Sequence, residues 1–250
     1  MKAVYILLFF VFGTVLGSFY NVVGLRLPKN ISFAKGRSYC PNCKRTLLWY
    51  ELIPVISYII QGGKCRNCNS KISLLYPSIE LLTGVIFAFS FYKIGFDIEL
   101  LMAISLMSML IIVFVTDLSY MLIPNKILLF FLPLFIIIRI INPLNPWWTS
   151  ISGAVFAFLL IAIIIIVSKG GMGAGDMKLF GVLGLVLGFK NVLLTFFLAS
   201  LIGTIIGGFQ RLTKQIEKGQ PIPFGPSIVI ATIITYFYGS IIVDWYLQLL

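Results

Sequence analysis

Polar positions along this chain do not recur at the period of a helix face or a strand; they gather in short blocks between long apolar runs. Helices that are apolar all round suit lipid, because in hydrocarbon a helix satisfies its own backbone hydrogen bonds. The first run, residues 1–25, carries one Lys near its start and ends in Arg26-Leu27-Pro28-Lys29. No small-residue cleavage site follows it, so it reads as an uncleaved membrane helix and not as a signal peptide. Further runs fall near 77–95, 100–117, 127–142, 150–168, 177–189, 191–209 and 227–247. Between 177–189 and 191–209 only Phe189, Lys190 and Asn191 offer a turn. At about 20 residues per span, the pattern predicts an all-α, polytopic bundle of about eight transmembrane helices. Residues 1–76 would form the first helix and a long polar loop, and 77–250 a multi-helix membrane domain.

Composition sharpens this reading. Of 250 residues, 60% are hydrophobic and 11% charged, less than half the ~25% charge of soluble domains. Soluble, disordered and fibrous classes are excluded. The chain has no histidine, which removes Ser-His-Asp triads, Cys-His dyads and HExxH metal sites. Acid–base chemistry must draw on eight acids: Glu51, Glu80, Asp97, Glu99, Asp117, Asp176, Glu217 and Asp244.

Basic residues set the orientation. The loop 26–76 holds Arg26, Lys29, Lys35, Arg37, Lys44, Arg45, Lys64, Arg66 and Lys71 against Glu51 alone. With this loop in the cytosol, alternate loops add Lys126, Lys169, Lys178, Arg211, Lys214 and Lys218, while the other side receives Lys2, Lys93, Arg139 and Lys190. Both termini are then expected outside the cytosol. Anionic headgroups of a cytoplasmic membrane account for the net charge of +11 without nucleic acid.

All four cysteines lie in that loop, as Cys40-Pro-Asn-Cys43 and Cys65-Arg-Asn-Cys68. Paired CxxC knuckles resemble a four-thiolate zinc site; two disulfides or a redox pair are the alternatives. A reducing cytosol disfavours disulfides, and a thioredoxin-like role lacks its βαβ context. Four thiolates would saturate the ion, so the zinc is expected to be structural. Between the knuckles, residues 47–60 contain Pro54, three aromatics and one acid, too short to span and suited to the interface.

Among the acids, Asp97, Glu99 and Asp244 fall near outer helix ends, and Glu80 is expected to begin a helix where the dipole favours a carboxylate. Asp117 ends an apolar run, and Asp176 follows Gly171-Met-Gly-Ala-Gly175. Singly, Asp176 reads as a helix cap and Asp117 as a boundary residue. Both fall at the predicted cytosolic boundary, where a carboxylate pair sharing a proton is suited to activate water. Helix-end electrostatics would bias that proton toward Asp117 and leave Asp176 as base. Pro223-Phe-Gly-Pro226 would either hold a substrate backbone extended or simply stop a loop before the last helix.

Gly173-Ala-Gly175-Asp176 has the GxGD pattern of intramembrane-type aspartyl proteases. Nearly the whole chain resembles the bacterial type IV prepilin peptidases. The likeness rests on Gly17-Ser-Phe-Tyr-Asn-Val-Val-Gly-Leu-Arg-Leu-Pro28, Arg37-Ser-Tyr-Cys-Pro-Asn-Cys43, Leu48-Trp-Tyr-Glu-Leu-Ile-Pro54 and Gly63-Lys-Cys-Arg-Asn-Cys68. Tyr76-Pro-Ser-Ile-Glu-Leu-Leu-Thr-Gly84, Asp117 with Ile123-Pro124, Gly171-Met-Gly-Ala-Gly-Asp-Met-Lys-Leu179 and Pro223-Phe-Gly-Pro226 follow in family order. Tyr20, Gly24 and Leu25 depart from the family's first signature.

The resemblance implies an inner-membrane endopeptidase that cuts a short basic leader, after a glycine, from prepilins or pilin-like proteins of secretion or competence systems. Asp117 and Asp176 would be catalytic, Pro223, Gly225 and Pro226 would bind substrate, and Cys40, Cys43, Cys65 and Cys68 would hold zinc. Many relatives also N-methylate the new terminus using S-adenosylmethionine. No Rossmann-like GxGxxG unit accompanies that expectation. A proton-coupled transporter and a non-catalytic zinc-binding scaffold remain as other classes, although no internal repeat of the transporter kind is visible.

Overall fold

A computed structural model describes residues 1–33, 36–168, 171–213 and 223–248. Lys35, Lys169, Lys214, Glu217 and Lys218 lie outside the described residues. The described residues form eight α-helices in order: α1 (Lys2–Arg26), α2 (Ile56–Ile60), α3 (Leu75–Ile94), α4 (Ile98–Tyr120), α5 (Asn125–Ile141), α6 (Trp148–Val167), α7 (Ala174–Leu212) and α8 (Gly225–Gln248). Short 3-10 turns occupy Leu27–Lys29 and Trp49–Leu52. Among the described residues β-pairing is limited to the isolated bridges Tyr39↔Thr46 and Lys64↔Lys71. The chain is all-α, as its apolar pattern predicts.

Among the described residues six helices, α1, α3, α4, α6, α7 and α8, are long and apolar enough to cross a membrane. The 17-residue α5 is equally apolar but shorter, and carries Pro133 in its interior. At 1.5 Å per residue the 39 residues of α7 would reach about 58 Å, nearly twice the ~30 Å hydrocarbon thickness. Gly188, at φ 77 and ψ 174, breaks the helix into 174–187 and 189–212. Only glycine adopts that positive φ without strain. The turn expected at Phe189, Lys190 and Asn191 does not form; those residues are helical, and the break lies one residue earlier. One residue can divide two spans here because no loop is needed to redirect a kinked helix.

Two compact units make up the chain, Met1–Val115 and Thr116–Leu250. In the first, α1 turns its buried Gly13 and Gly17 toward Thr83, Gly84 and Glu80 of α3. The Phe9 and Phe91 rings stack at 4.7 Å, and the Tyr20 hydroxyl donates to Ser108 Oγ at 2.6 Å. In the second unit, α7 packs on α5, α6 and α8. Its closest approach is to α6, where a Cβ on Gly184 would collide with the Gly153 carbonyl oxygen. Small residues that let backbones meet are how membrane helices gain packing contacts. The segment 174–187, which carries Asp176, is therefore fixed against α6.

Candidate active site and metal centre

The two cysteine knuckles are built alike. Cys40 N–H donates to the Arg45 carbonyl and Lys44 N–H to the Cys40 carbonyl, each at 2.9 Å; Cys65 with Ser70, and Asn69 with Cys65, repeat the pattern at 2.9 Å. Lys44 and Asn69 occupy matching left-handed positions, at φ 58 and 53. All four Sγ atoms lie within 4.8 Å of one another, with Cys40–Cys68 at 3.8 Å and Cys43–Cys65 at 4.0 Å. A tetrahedral ion with metal–sulfur bonds of ~2.3 Å sets its ligands about 3.8 Å apart, whereas a disulfide requires ~2.05 Å. The cysteines are free thiols positioned to hold a metal ion. Hydrogen bonds from Ser70, its side chain first and then its backbone, hold the Cys68 thiol down at about 5, favouring the thiolate that a metal takes.

An ion pair between the half-buried Arg45 and the buried Glu51 braces the module. Glu51 accepts from Arg45 and, at 2.8 Å, from the Leu48 N–H. Burial opposes ionisation of Glu51, but the Leu48 N–H and the Arg45 guanidinium outweigh it and hold the carboxyl below its ordinary value. A carboxyl depressed in the folded state contributes stability above the ordinary carboxylate range and loses it as pH falls through the depressed value. The loop should therefore resist limited proteolysis at neutral pH and lose resistance on acidification. At neutral pH, Glu51→Gln should cleave like the acidified parent; equal resistance of variant and parent would remove the pair from the account.

Glu80 lies in the second turn of α3, not at its start. Its carboxylate accepts the Val55 N–H at 2.7 Å, where Val55 has an unusual φ of 61. The helix-start reading of Glu80 is corrected accordingly: it ties the segment between the knuckles to α3.

Both aspartates of interest belong to the second unit. Asp117 lies in the last turn of α4 and is 6% exposed; Asp176 is the third residue of α7 and is 8% exposed. The helix starts at Ala174, ahead of Asp176, because the carboxylate folds back to accept the Gly173 N–H at 3.1 Å. Asp117 Oδ2 accepts the Gly225 N–H at 2.8 Å, and Gly225 is the first residue of α8. Each carboxylate thus faces the positive end of a helix, so the helix-end argument that separated them in sequence applies to both.

Gly225 could not have been paired with Asp117 from sequence, being 108 positions away. The signal present is a glycine between prolines at a helix start. A Cβ on Gly225 would lie 2.6 Å from Asp117 Oδ2, so no other residue leaves the carboxylate where it is. Pro226 occupies the second position of α8, where its missing N–H costs nothing; Pro223 lies half-buried just before the helix. Gly225→Ala should displace Asp117 and, at the ~100-fold scale of a 1 Å misplacement, reduce turnover with the fold retained. Unchanged turnover of a folded variant would contradict this packing.

Residues 11–94 match the bacterial peptidase A24 N-terminal domain, and residues 104–208 match the type IV leader peptidase family. The chain is 45% identical to a prepilin leader peptidase/N-methyltransferase of Bacillus subtilis, covering 96% of this chain and 97% of that one. It is 35% identical to the protein of that name from Vibrio cholerae, over 95% and 98% of the two chains. With the one from Pseudomonas aeruginosa the identity is 32%, over 94% and 91%. No solved structure matches the chain. Apolar helices, a four-cysteine cluster and end-to-end likeness to these relatives agree: the chain belongs to the type IV leader peptidase family, multi-pass proteins of the bacterial inner membrane.

Proposed function

We propose that the chain is a membrane aspartic endopeptidase that removes the short basic leader from prepilins or pilin-like precursors, cutting after a glycine at the cytosolic face. The observation that carries this is the buried carboxylate pair, Asp117 and Asp176, each held by a helix N-terminal N–H. Two neighbouring carboxylates hold one proton between them. The ionised member takes a proton from water, whose oxygen attacks the scissile carbonyl carbon, while the protonated member donates to the carbonyl oxygen. Collapse of the tetrahedral species breaks the C–N bond; the proton taken from water passes to the departing amine, and one hydroxyl on the carbon returns its proton to the carboxylate that had donated it. Gly225 serves by fixing Asp117, and Pro223, Gly225 and Pro226 line the approach for an extended substrate backbone.

In this reading residues 1–76 supply the first span and a cytosolic module, and residues 77–250 carry the proteolytic bundle. Zinc is the metal that Cys40, Cys43, Cys65 and Cys68 fit, by thiolate chemistry and by tetrahedral spacing. It would shape the loop and take no part in hydrolysis. The 15-to-4 distribution of basic residues supports both termini outside the cytosol.

The relatives' second named activity, N-methylation of the new terminus, is carried over with the first. Its donor, S-adenosylmethionine, is a cation with polar adenine, ribose and amino-acid parts. A cavity of ≈ 590 Å³ along α5, α6 and α7 offers Asn125 and Lys178 amid apolar side chains such as Leu128, Phe158 and Leu185. A second, of ≈ 490 Å³, presents Lys64 and Lys71, like charges to the donor. Neither fits it.

The test is direct. Purified protein in lipid nanodiscs should cut a synthetic precursor (basic leader, glycine, apolar helix) after the glycine, read by mass spectrometry. An intact precursor, or a cut elsewhere, would overturn the reading.

A further inference from the structure

Arg139 stands in the last turn of α5, and at 8% exposure it is buried. A cation inside a membrane bundle is costly and calls for a partner. An arginine near a helix end ordinarily extends its head group to the interface; this one does not. Its guanidinium donates twice to one acceptor, the Val186 carbonyl, through Nε at 3.1 Å and Nη2 at 2.6 Å. Nη1 also reaches the Asn142 carbonyl at 3.5 Å.

Val186 is a particular acceptor. In an unbroken helix its carbonyl would take the N–H four residues on, but Gly188 breaks α7 first. Val186 is thus among the last four carbonyls of segment 174–187, whose regular helical donors lie at or beyond the break. The opposite end of that same segment carries Asp176. Arg139 therefore supplies, at the negative pole of the segment, donors to Val186 and a positive charge.

A second contact pins the near end of the same pair of helices, where Lys178 Nζ donates to Asn125 Oδ1 at 3.0 Å. Asn125 opens α5, a short connection after Asp117. The helix that follows the Asp117 turn is thus fastened to the Asp176 segment at both ends. Lateral placement comes from Gly153 against Gly184; axial placement is left to the polar clamps.

We infer that Arg139 is a positioning residue for proteolysis: its paired hydrogen bonds to Val186 fix segment 174–187 along its axis and so set Asp176 against Asp117. The inference rests on the reading of Asp176 as catalytic. The substrate is not touched by Arg139, so the effect should fall on turnover and not on binding.

The experiment measures kcat and KM on the synthetic precursor for the wild type, Arg139→Met, Arg139→Lys and Asp176→Asn, each checked for folding by gel filtration and thermal unfolding in detergent. Arg139→Met should lose about 100-fold in kcat, the scale of a 1 Å misplacement, with KM within a few-fold of wild type. Arg139→Lys keeps the charge but loses the planar fork, and should recover part of the loss. Wild-type kcat in folded Arg139→Met, or a loss expressed only in KM, would overturn the inference. If Arg139→Met does not fold, Arg139→Lys decides: reduced kcat at unchanged KM supports the clamp, and wild-type kcat refutes it. Activity in Asp176→Asn would instead bring down the reading on which the inference rests, whatever Arg139 does.

Discussion

Asp117→Asn and Asp176→Asn should each abolish cleavage while leaving the protein folded. Asparagine matches aspartate in size, and its carbonyl oxygen can still accept the Gly225 or Gly173 N–H that each carboxylate now accepts. What it cannot do is exchange a proton with water or with the scissile carbonyl. Acid–base groups contribute about 10²–10⁴-fold, and either loss leaves no substitute because the chain has no histidine. Glu51 and Glu80, also buried, are committed to Arg45 and Leu48 and to Val55. Initial rates on purified, monodisperse variants check this. A single Asn variant within tenfold of wild type would remove that carboxylate from the chemistry.

Cys→Ser at position 40, 43, 65 or 68 should act differently, lowering metal content and yield while leaving cleavage in the protein that remains folded. Structural zinc contributes on the order of 10 kcal/mol to small isolated modules. Here the module is joined to α1 and α3, and the pairing of those helices does not involve the cysteines. Loss of one thiolate should therefore loosen residues around the knuckles without unfolding the bundle. Elemental analysis should find one zinc per wild-type chain and a marked deficit in each variant. Four alkylatable thiols and no zinc in the wild type would end the metal assignment. A folded Cys→Ser protein without turnover would place the module in the active site.

The spans were legible because lipid demands long apolar runs, which leave their length directly in the sequence. One detail was not. The division of α7 depends on one glycine at positive φ, and a glycine inside an apolar run looks the same whether it bends the chain or merely packs, as Gly184 does. The cysteine cluster was legible for the opposite reason: CxxC spacing encodes the geometry of the ligand set locally. Asp117 and Asp176 stood out by scarcity, as acids at one predicted boundary. Their supports did not, since Gly225 and Arg139 act through contacts 108 and 47 positions distant. Arg139 counted only as one outer-side charge, because the pattern of charges does not reveal that a side chain turns inward.

Co-expression with a pilin-like precursor, followed by mass spectrometry of its N-terminus, tests the central claim in the membrane itself. The account predicts a precursor cut after its leader glycine in cells carrying the wild-type chain and uncut in cells carrying Asp176→Asn at equal abundance. A methyl increment on the cut product would report the second activity in the same spectrum. An uncut precursor with the wild type, or a processed one with Asp176→Asn, would contradict it.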